Sequence, residues 1–442
     1  MPDKMPSIAS QALELAAQYG ADQAQVSISQ ARFNSIGFRD DNLEKAISSI
    51  KQSLTLTIYI NQRFGIHTTS DFKNLDSFID KACAFTKLLT PDPWRSLPDV
   101  QRLARMPGPD LKLYDERLAA SPLDFWLDLA RDMEKAAGRE GQKASLVSAT
   151  GNAYLNVGHS LLANSDGFRG AQAATSGFAA GGMAIMEEGG KRRQGFWYSG
   201  SCQMDEVLKP DLAQTTAALS LERARMQLGA KPGPTGLFPV LVENQAAGGL
   251  LEYLLDVISG YNLYNKTSYL MDSLGQAVAS DKLTIIDKPH IPGGFGSNWF
   301  DGEGVATVER AVIKAGVLQS YLLNTYYARA LNLKPNSGST NNVTLTPTED
   351  KNCEQLREQI SEGLLLNSFL GGNFNSTTGD FSFGLSGQWI KNGRIAYAVE
   401  AMNMSGNFKG LWQNLSAVGN DPFPYSSMLS PCLLFDKVQL SG

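Results

Sequence analysis

The chain has 442 residues, 43% of them hydrophobic and 19% charged, which suffices for one or two sizeable buried cores and excludes a disordered polar tract. Its formal net charge of −5 and pI near 5.4 offer phosphates no global positive field, so nucleic acid is a poor partner. The four cysteines (Cys83, Cys202, Cys353 and Cys432) are far apart and form no CxxC pair, and read as free thiols. No two of the three histidines, His67, His159 and His290, can ligate one metal from a single helix turn or hairpin.

Ile8, Ala12, Leu15, Ala16 and Tyr19 share one helical face that stops at Gly20, which predicts a folded first helix rather than a signal peptide. No apolar run approaches the roughly 20 residues that span a bilayer, so the expectation is a cytoplasmic protein without a membrane partner. Next, "AQVSISQARFNSIGFRDD" reads as a strand pair, and Leu54, Leu56, Ile58 and Ile60 alternate with Thr55, Thr57 and Tyr59 in a half-buried antiparallel strand that turns at residues 61–63. A helical stripe follows in Phe72, Leu75, Phe78, Ile79, Ala82 and Phe85.

Five prolines between residues 91 and 109 discourage helix and predict a surface excursion. Ser121 and Pro122 look like the N-cap and first-turn residue of a helix through about Ala137. Residues 144–200 read as a meander of short strands broken by Gly, Asn and Asp turns. A helix at about 211–228 leads to the breaker cluster "GAKPGPTG", where the domain boundary is placed. Beyond it come the strand "LFPVLVE", a helix carrying Leu250, Leu251, Leu254 and Ile258, and hairpins turning at "KAG" and "KNG". The predicted class is α+β: an N-terminal domain, 1–230, of antiparallel strands with flanking helices, and a predominantly antiparallel β domain, 231–442.

Four stretches then occur in order: "ANSDGFRG" (163–170), "FDGEGVATVERAVIKAGVLQSYLLNTYYARALNL" (300–333), "GDFSFGLSGQWIKNGRIAY" (379–397) and "VGNDPFPYSS" (418–427). With the N-terminal "IGFRDDNLEKA" they resemble the TldD/PmbA family, also called modulators of DNA gyrase, nearly end to end. In the TldD branch the strand-to-helix junction carries His-Glu-x-x-x-His: two histidines bind zinc, the glutamate is the general base, and a distant cysteine completes the ligand set. Laid on "VLVENQAAGGL", that pattern places Glu243 and Gly248 where the histidines belong and Asn244 where the glutamate belongs. No histidine occurs between His159 and His290, so no local shift restores the motif. The chain resembles the PmbA branch, also called TldE, which implies no metal or catalytic residue of its own and zinc in a TldD-like partner.

Several residues also have simpler readings. Glu243 at a helix start reads as a dipole-stabilising carboxylate. Cys432, near where the family can place a cysteine and so a candidate ligand remnant, reads as a small buried apolar residue. His290 reads as a loop residue with an ordinary hydrogen bond, Asp301 and Glu303 of "FDGEG" as a tight turn, and "KRRQ" from Lys191 as a solvated turn.

What the resemblance implies is the inactive subunit of a heterodimeric zinc peptidase complex for proteolysis or processing of unfolded peptides, supplying chamber wall, dimer surface and a strand edge for an extended peptide. Two further readings stay open: a homodimeric peptide-binding or scaffolding protein without a protease partner, and a self-sufficient peptidase with a rearranged site.

Overall fold

The computed structural model describes residues 2–207 and 209–442. Its N-terminal half is built on one six-stranded antiparallel sheet in the order β3-β2-β1-β4-β5-β6. The strands are β1 (Gln23–Arg39), β2 (Asn42–Ile60), β3 (Arg63–Thr69), β4 (Leu146–Asn164), β5 (Arg169–Met186) and β6 (Arg192–Ser201). The stretch expected to be a strand pair is thus the single 17-residue strand β1; the chain turns only after it, at Asp40 and Asp41, both with positive φ. The predicted turn at residues 61–63 is present, with Asn61 and Gln62 left-handed.

Long strands let one sheet carry separate cores. Val26 and Ile28 pack with Leu54, Leu56 and Ile58 under helices α1 (Met5–Gln18) and α2 (Leu75–Thr86). The buried face of α1 centres on Ala9, Ala12, Leu13 and Ala16, rotated from the expected stripe, and Phe85 of the second stripe is exposed. Farther along β1, Ile36 and Phe38 join Leu155 and Trp126 in another core, under the two-helix unit α3 (Glu116–Ala120) and α4 (Leu123–Gly141). Ser121 does not cap α4. It ends α3, bonding to the Leu118 carbonyl at 2.6 Å and accepting the Trp126 indole N–H at 2.9 Å.

The meander is antiparallel as expected, but its strands are 19, 18 and 10 residues long. Several glycines read as turns lie inside them, where helices press on the sheet. A Cβ on Gly151 would meet the Ala130 carbonyl and the Glu134 amide of α4 at 2.2 Å, and one on Gly195 would meet the Ser220 carbonyl at 1.8 Å on α6 (Leu212–Arg225), which follows the short helix α5 (Met204–Val207).

In the C-terminal half, β7 (Gly236–Val242) leads into α7 (Asn244–Val257). A five-stranded sheet comprises β8 (Ile285–Lys288), β9 (Arg310–Lys314), β10 (Val317–Leu318), β11 (Asn342–Leu345) and, paired after the longer strands, β16 (Met428–Leu429). The second sheet orders β14 (Arg394–Asn407), β13 (Asp380–Lys391), β12 (Glu362–Phe374), β7, β17 (Leu433–Ser441) and β15 (Leu415–Val418), and a β14–β17 pairing closes it into a barrel-like ring. Pairings are antiparallel except β7–β12 and β11–β16. Both predicted hairpins form, turning at Ala315–Gly316 and Asn392–Gly393 with positive φ. Leu250, Leu251 and Leu254 of α7 and the adjoining Ile258 enter the main core with Val240, Leu364 and Phe435.

The proline-rich stretch is not a free excursion: it straps the two halves together. Leu103 bridges to Val305, Arg102 donates to the Asn336 carbonyl at 2.8 Å, and Trp299 donates to the Pro109 carbonyl at 2.6 Å. The "KRRQ" run also departs from the expected solvated turn. Arg193 lies mostly buried between Glu187 and Glu400, at 2.6 and 2.8 Å, and Lys191 reaches Glu400 at 2.6 Å, tying β6 to β14. Among the described residues, no helix is long and apolar enough to cross a membrane.

Candidate functional site at the strand-to-helix junction

Val240, Leu241 and Val242 are fully buried because β7 lies between β12 and β17. The chain leaves the sheet at Glu243, whose N–H makes a last bond to the Leu366 carbonyl at 3.0 Å and whose carbonyl accepts from Ala246 and Ala247 as α7 begins. Its carboxylate does not cap the helix. It turns to α6, where both oxygens accept from the Arg223 guanidinium at 2.5 Å and one also accepts from Asn367 at 3.0 Å. Arg223 in turn lies 5.1 Å from the centre of the Trp197 ring. The dipole reading of Glu243 is therefore replaced: its side chain is an ion pair joining the two halves, with both members only 16% exposed.

Asn244 is likewise committed, donating to the Asp421 carbonyl at 2.8 Å. Gly248 has no donor, and a Cβ there would stand 3.5 Å from Met428. The histidines lie elsewhere: His67 bonds Thr86, with burial lowering its pKa, His159 packs beside Tyr114, and His290 bonds Thr307 at 3.2 Å, the ordinary loop contact expected. A zinc centre of the His-Glu-x-x-x-His type needs two imidazoles and a free carboxylate. Residues 243, 244 and 248 do not fit that group.

Beside this junction lies a built surface. β12 pairs with β7 only through Leu366. From Asn367 onward its only strand partner among the described residues is β13, and residues 370–373 are exposed. Between this free edge and α7 opens a cleft of about 480 Å³, lined by Gly249, Glu252, Tyr253, Phe369, Gly371 and Phe383 among others. Tyr253 stacks on Phe383 with ring centres 5.3 Å apart, giving the cleft an aromatic wall, and Glu252 and Asp256 add two carboxylates to its lining.

Asp301 and Glu303 do form the expected turn. Asp301 accepts from the amides of Glu303 and Val305 at 2.8 and 3.0 Å, and Glu303 accepts from the Thr325 amide and hydroxyl. Burial, helped by the Glu303 charge, pushes the Asp301 carboxyl up to about 7. Folded Asp301 thus keeps a proton that the unfolded chain releases above pH 3.8, so its ionisation costs stability as pH rises to 7 and costs nothing below 3.8. Asp301→Asn, which retains the accepting oxygen, is expected to match the parent in urea unfolding at pH 4 and exceed it at pH 8 by up to about 4 kcal/mol. Equal stability at pH 8 would show that Asp301 ionises freely.

Cys432 is fully buried as expected, beside Leu241, Leu365 and Leu434. The cysteines are not all isolated, however. Folding brings Cys353 to Cys432 with Asp421 between them, a convergence that sequence separation conceals.

The domain families that match this chain are those of metallopeptidases: PmbA/TldA metallopeptidase domain 1 over residues 24–85, the central domain over 116–228 and the C-terminal domain over 235–442. The chain belongs to the PmbA/TldD family. It is 30% identical to metalloprotease PmbA of Escherichia coli O157:H7 over 98% of this chain and 95% of that one, and 29% identical to the metalloprotease PmbA homolog of Haemophilus influenzae over 98% and 94%. A solved structure described as a modulator of DNA gyrase, from Bacteroides thetaiotaomicron, superposes with a TM-score of 0.94 at 31% identity, covering 100% of this chain and 99% of that one. TldE from Thermococcus kodakarensis shares the fold, with a TM-score of 0.85 at 18% identity over 98% and 100%.

Proposed function

We propose that the chain is the non-catalytic, PmbA/TldE-like subunit of a two-subunit metallopeptidase that acts on unfolded peptides. The observation that carries this reading is the state of the junction: the one carboxylate at the motif positions is bound by Arg223 and Asn367, and Gly248 offers no ligand. Similarity to the PmbA relative spans 98% of the chain, against 54% for a relative named metalloprotease TldD homolog, from Buchnera aphidicola, which supports the branch. A partner bearing His-Glu-x-x-x-His supplies zinc and bond cleavage; this chain supplies substrate positioning.

The free edge of β12 suits that role. An extended peptide adds a strand there through backbone bonds, with side chains entering the Tyr253–Phe383 cleft. Residues 42–53 of β2 have no strand partner on the β3 side among the described residues and expose Leu43, Ile47 and Ile50, an apolar edge suited to the partner subunit. The same β12 edge also serves a homodimeric peptide-binding protein, and one assay separates the two readings. An unstructured peptide is incubated with this chain, with a TldD-like subunit, and with both. Cleavage is expected only in the mixture. Cleavage by this chain alone, or full activity of the other subunit without it, would overturn the assignment.

A further inference from the structure

A second constellation lies away from the motif positions. The sulfurs of Cys353 and Cys432 and a carboxylate oxygen of Asp421 all lie within 4.8 Å of one another. Cys432 is fully buried, whereas Cys353 and Asp421 are half-buried, so the cluster has a closed back and an open front. Asp421 organises it: one oxygen accepts the Cys353 N–H at 3.0 Å and the other the Cys432 N–H at 3.2 Å. Each oxygen has a second lone pair left for a ligand.

Gly419 supplies an independent sign. A Cβ at this position would stand 2.4 Å from the Cys432 sulfur, 2.8 Å from an Asp421 oxygen and 3.2 Å from the Lys351 carbonyl. Its φ is not positive, so the backbone does not demand glycine. Space does, because the Cys432 sulfur and the Asp421 carboxylate both stand against this backbone.

Zinc binds thiolate at about 2.3 Å in tetrahedral sites, which sets sulfurs roughly 3.8 Å apart, so small side-chain movements close the cluster around an ion.

We propose that Cys353, Asp421 and Cys432 form a binding site for a thiophilic divalent cation, zinc above all, with water from the open front as fourth ligand. Binding exchanges the two thiol protons for the cation and releases them to solvent. The site is structural. It pins the helix Cys353–Arg357 to β17 and fixes the Asp421 carbonyl on which Asn244 rests. Because it uses none of residues 243, 244 and 248 as ligands, it is independent of the peptidase reading.

The test is titration of the reduced, chelator-stripped full chain with Co(II), followed by displacement with Zn(II). One equivalent of cobalt is expected to give a near-ultraviolet thiolate charge-transfer band with visible bands of four-coordinate cobalt, and zinc to abolish both. C353S and C432S should each lose the thiolate band. Asp421→Asn should weaken binding at least tenfold, and Gly419→Ala likewise with both thiols still present. Cys353 is partly exposed, so C353S keeps the test interpretable if C432S does not fold. A parent chain with no thiolate band, or a band that persists in C353S, would overturn the proposal.

Discussion

Gly195→Ala is expected to cost the fold about 3 kcal/mol or more, while Gly158→Ala in the same sheet should be neutral or stabilise by up to about 1 kcal/mol. The two residues differ in what faces them. At Gly195 an added methyl would stand 1.8 Å from the Ser220 carbonyl and 2.5 Å from the Ala224 amide, so α6 must lift off the sheet. Lifting it loosens the packing of Leu221 and Ala224 on Met183 and Ile185, and the bond from the Ser220 hydroxyl to the Gly181 carbonyl. At Gly158 the nearest atom is the Ala174 carbonyl at 3.9 Å, an ordinary contact. There alanine only reduces the entropy lost on folding. Urea unfolding of both variants decides the matter, and equal midpoints would show that α6 accommodates the methyl.

That contrast explains where reading the chain failed. Gly and Asn within an apolar run look the same whether they form a turn or admit a helix to the sheet, and only the ladder partner tells them apart. Where the glycine sits in a "KNG" or "KAG" turn, local chemistry is enough, and Gly393 and Gly316 take the expected positive φ. Gly151 and Gly195 are set instead by α4 and α6, whose contacts lie outside any local window. The α+β class and the amphipathic α7 were legible because burial follows short-range periodicity.

The lack of histidines near the junction is read from the sequence itself and does not depend on fine alignment. The contacts that Glu243 makes instead were hidden. Arg223 lies on the far side of the "GAKPGPTG" breaker from Glu243, and Asn367 comes from β12, so neither contact has a local signature. Cys353, Asp421 and Cys432 likewise meet only because β17 returns beside β7. The family likeness drew attention to Cys432 alone, whereas the fold defines its partners.

Rebuilding the motif with Glu243→His, Asn244→Glu and Gly248→His is expected to give no peptide hydrolysis by this chain alone, and to lower its stability by about 3 kcal/mol. The loss comes mainly from position 243. Removing the carboxylate leaves the Arg223 guanidinium, 16% exposed, without its bidentate acceptor, and stripping one member from a largely buried ion pair costs about 3 to 5 kcal/mol. Glutamate at 244 also gives up the donor to the Asp421 carbonyl and sets a negative charge against that oxygen. Histidine at 248 starts out toward Met428, and no third ligand or orienting partner has been provided for either imidazole. Adding Arg223→Met should recover part of the stability, because it removes the largely buried guanidinium that has lost its acceptor, but it should recover no activity. Urea unfolding, zinc content in excess of the parent chain's and a peptide assay on the triple and quadruple variants separate these effects. Zinc-dependent hydrolysis by the triple variant alone would mean that this scaffold holds the supporting groups of a peptidase site, and that the proposed non-catalytic role rests on three side chains rather than on the surrounding architecture.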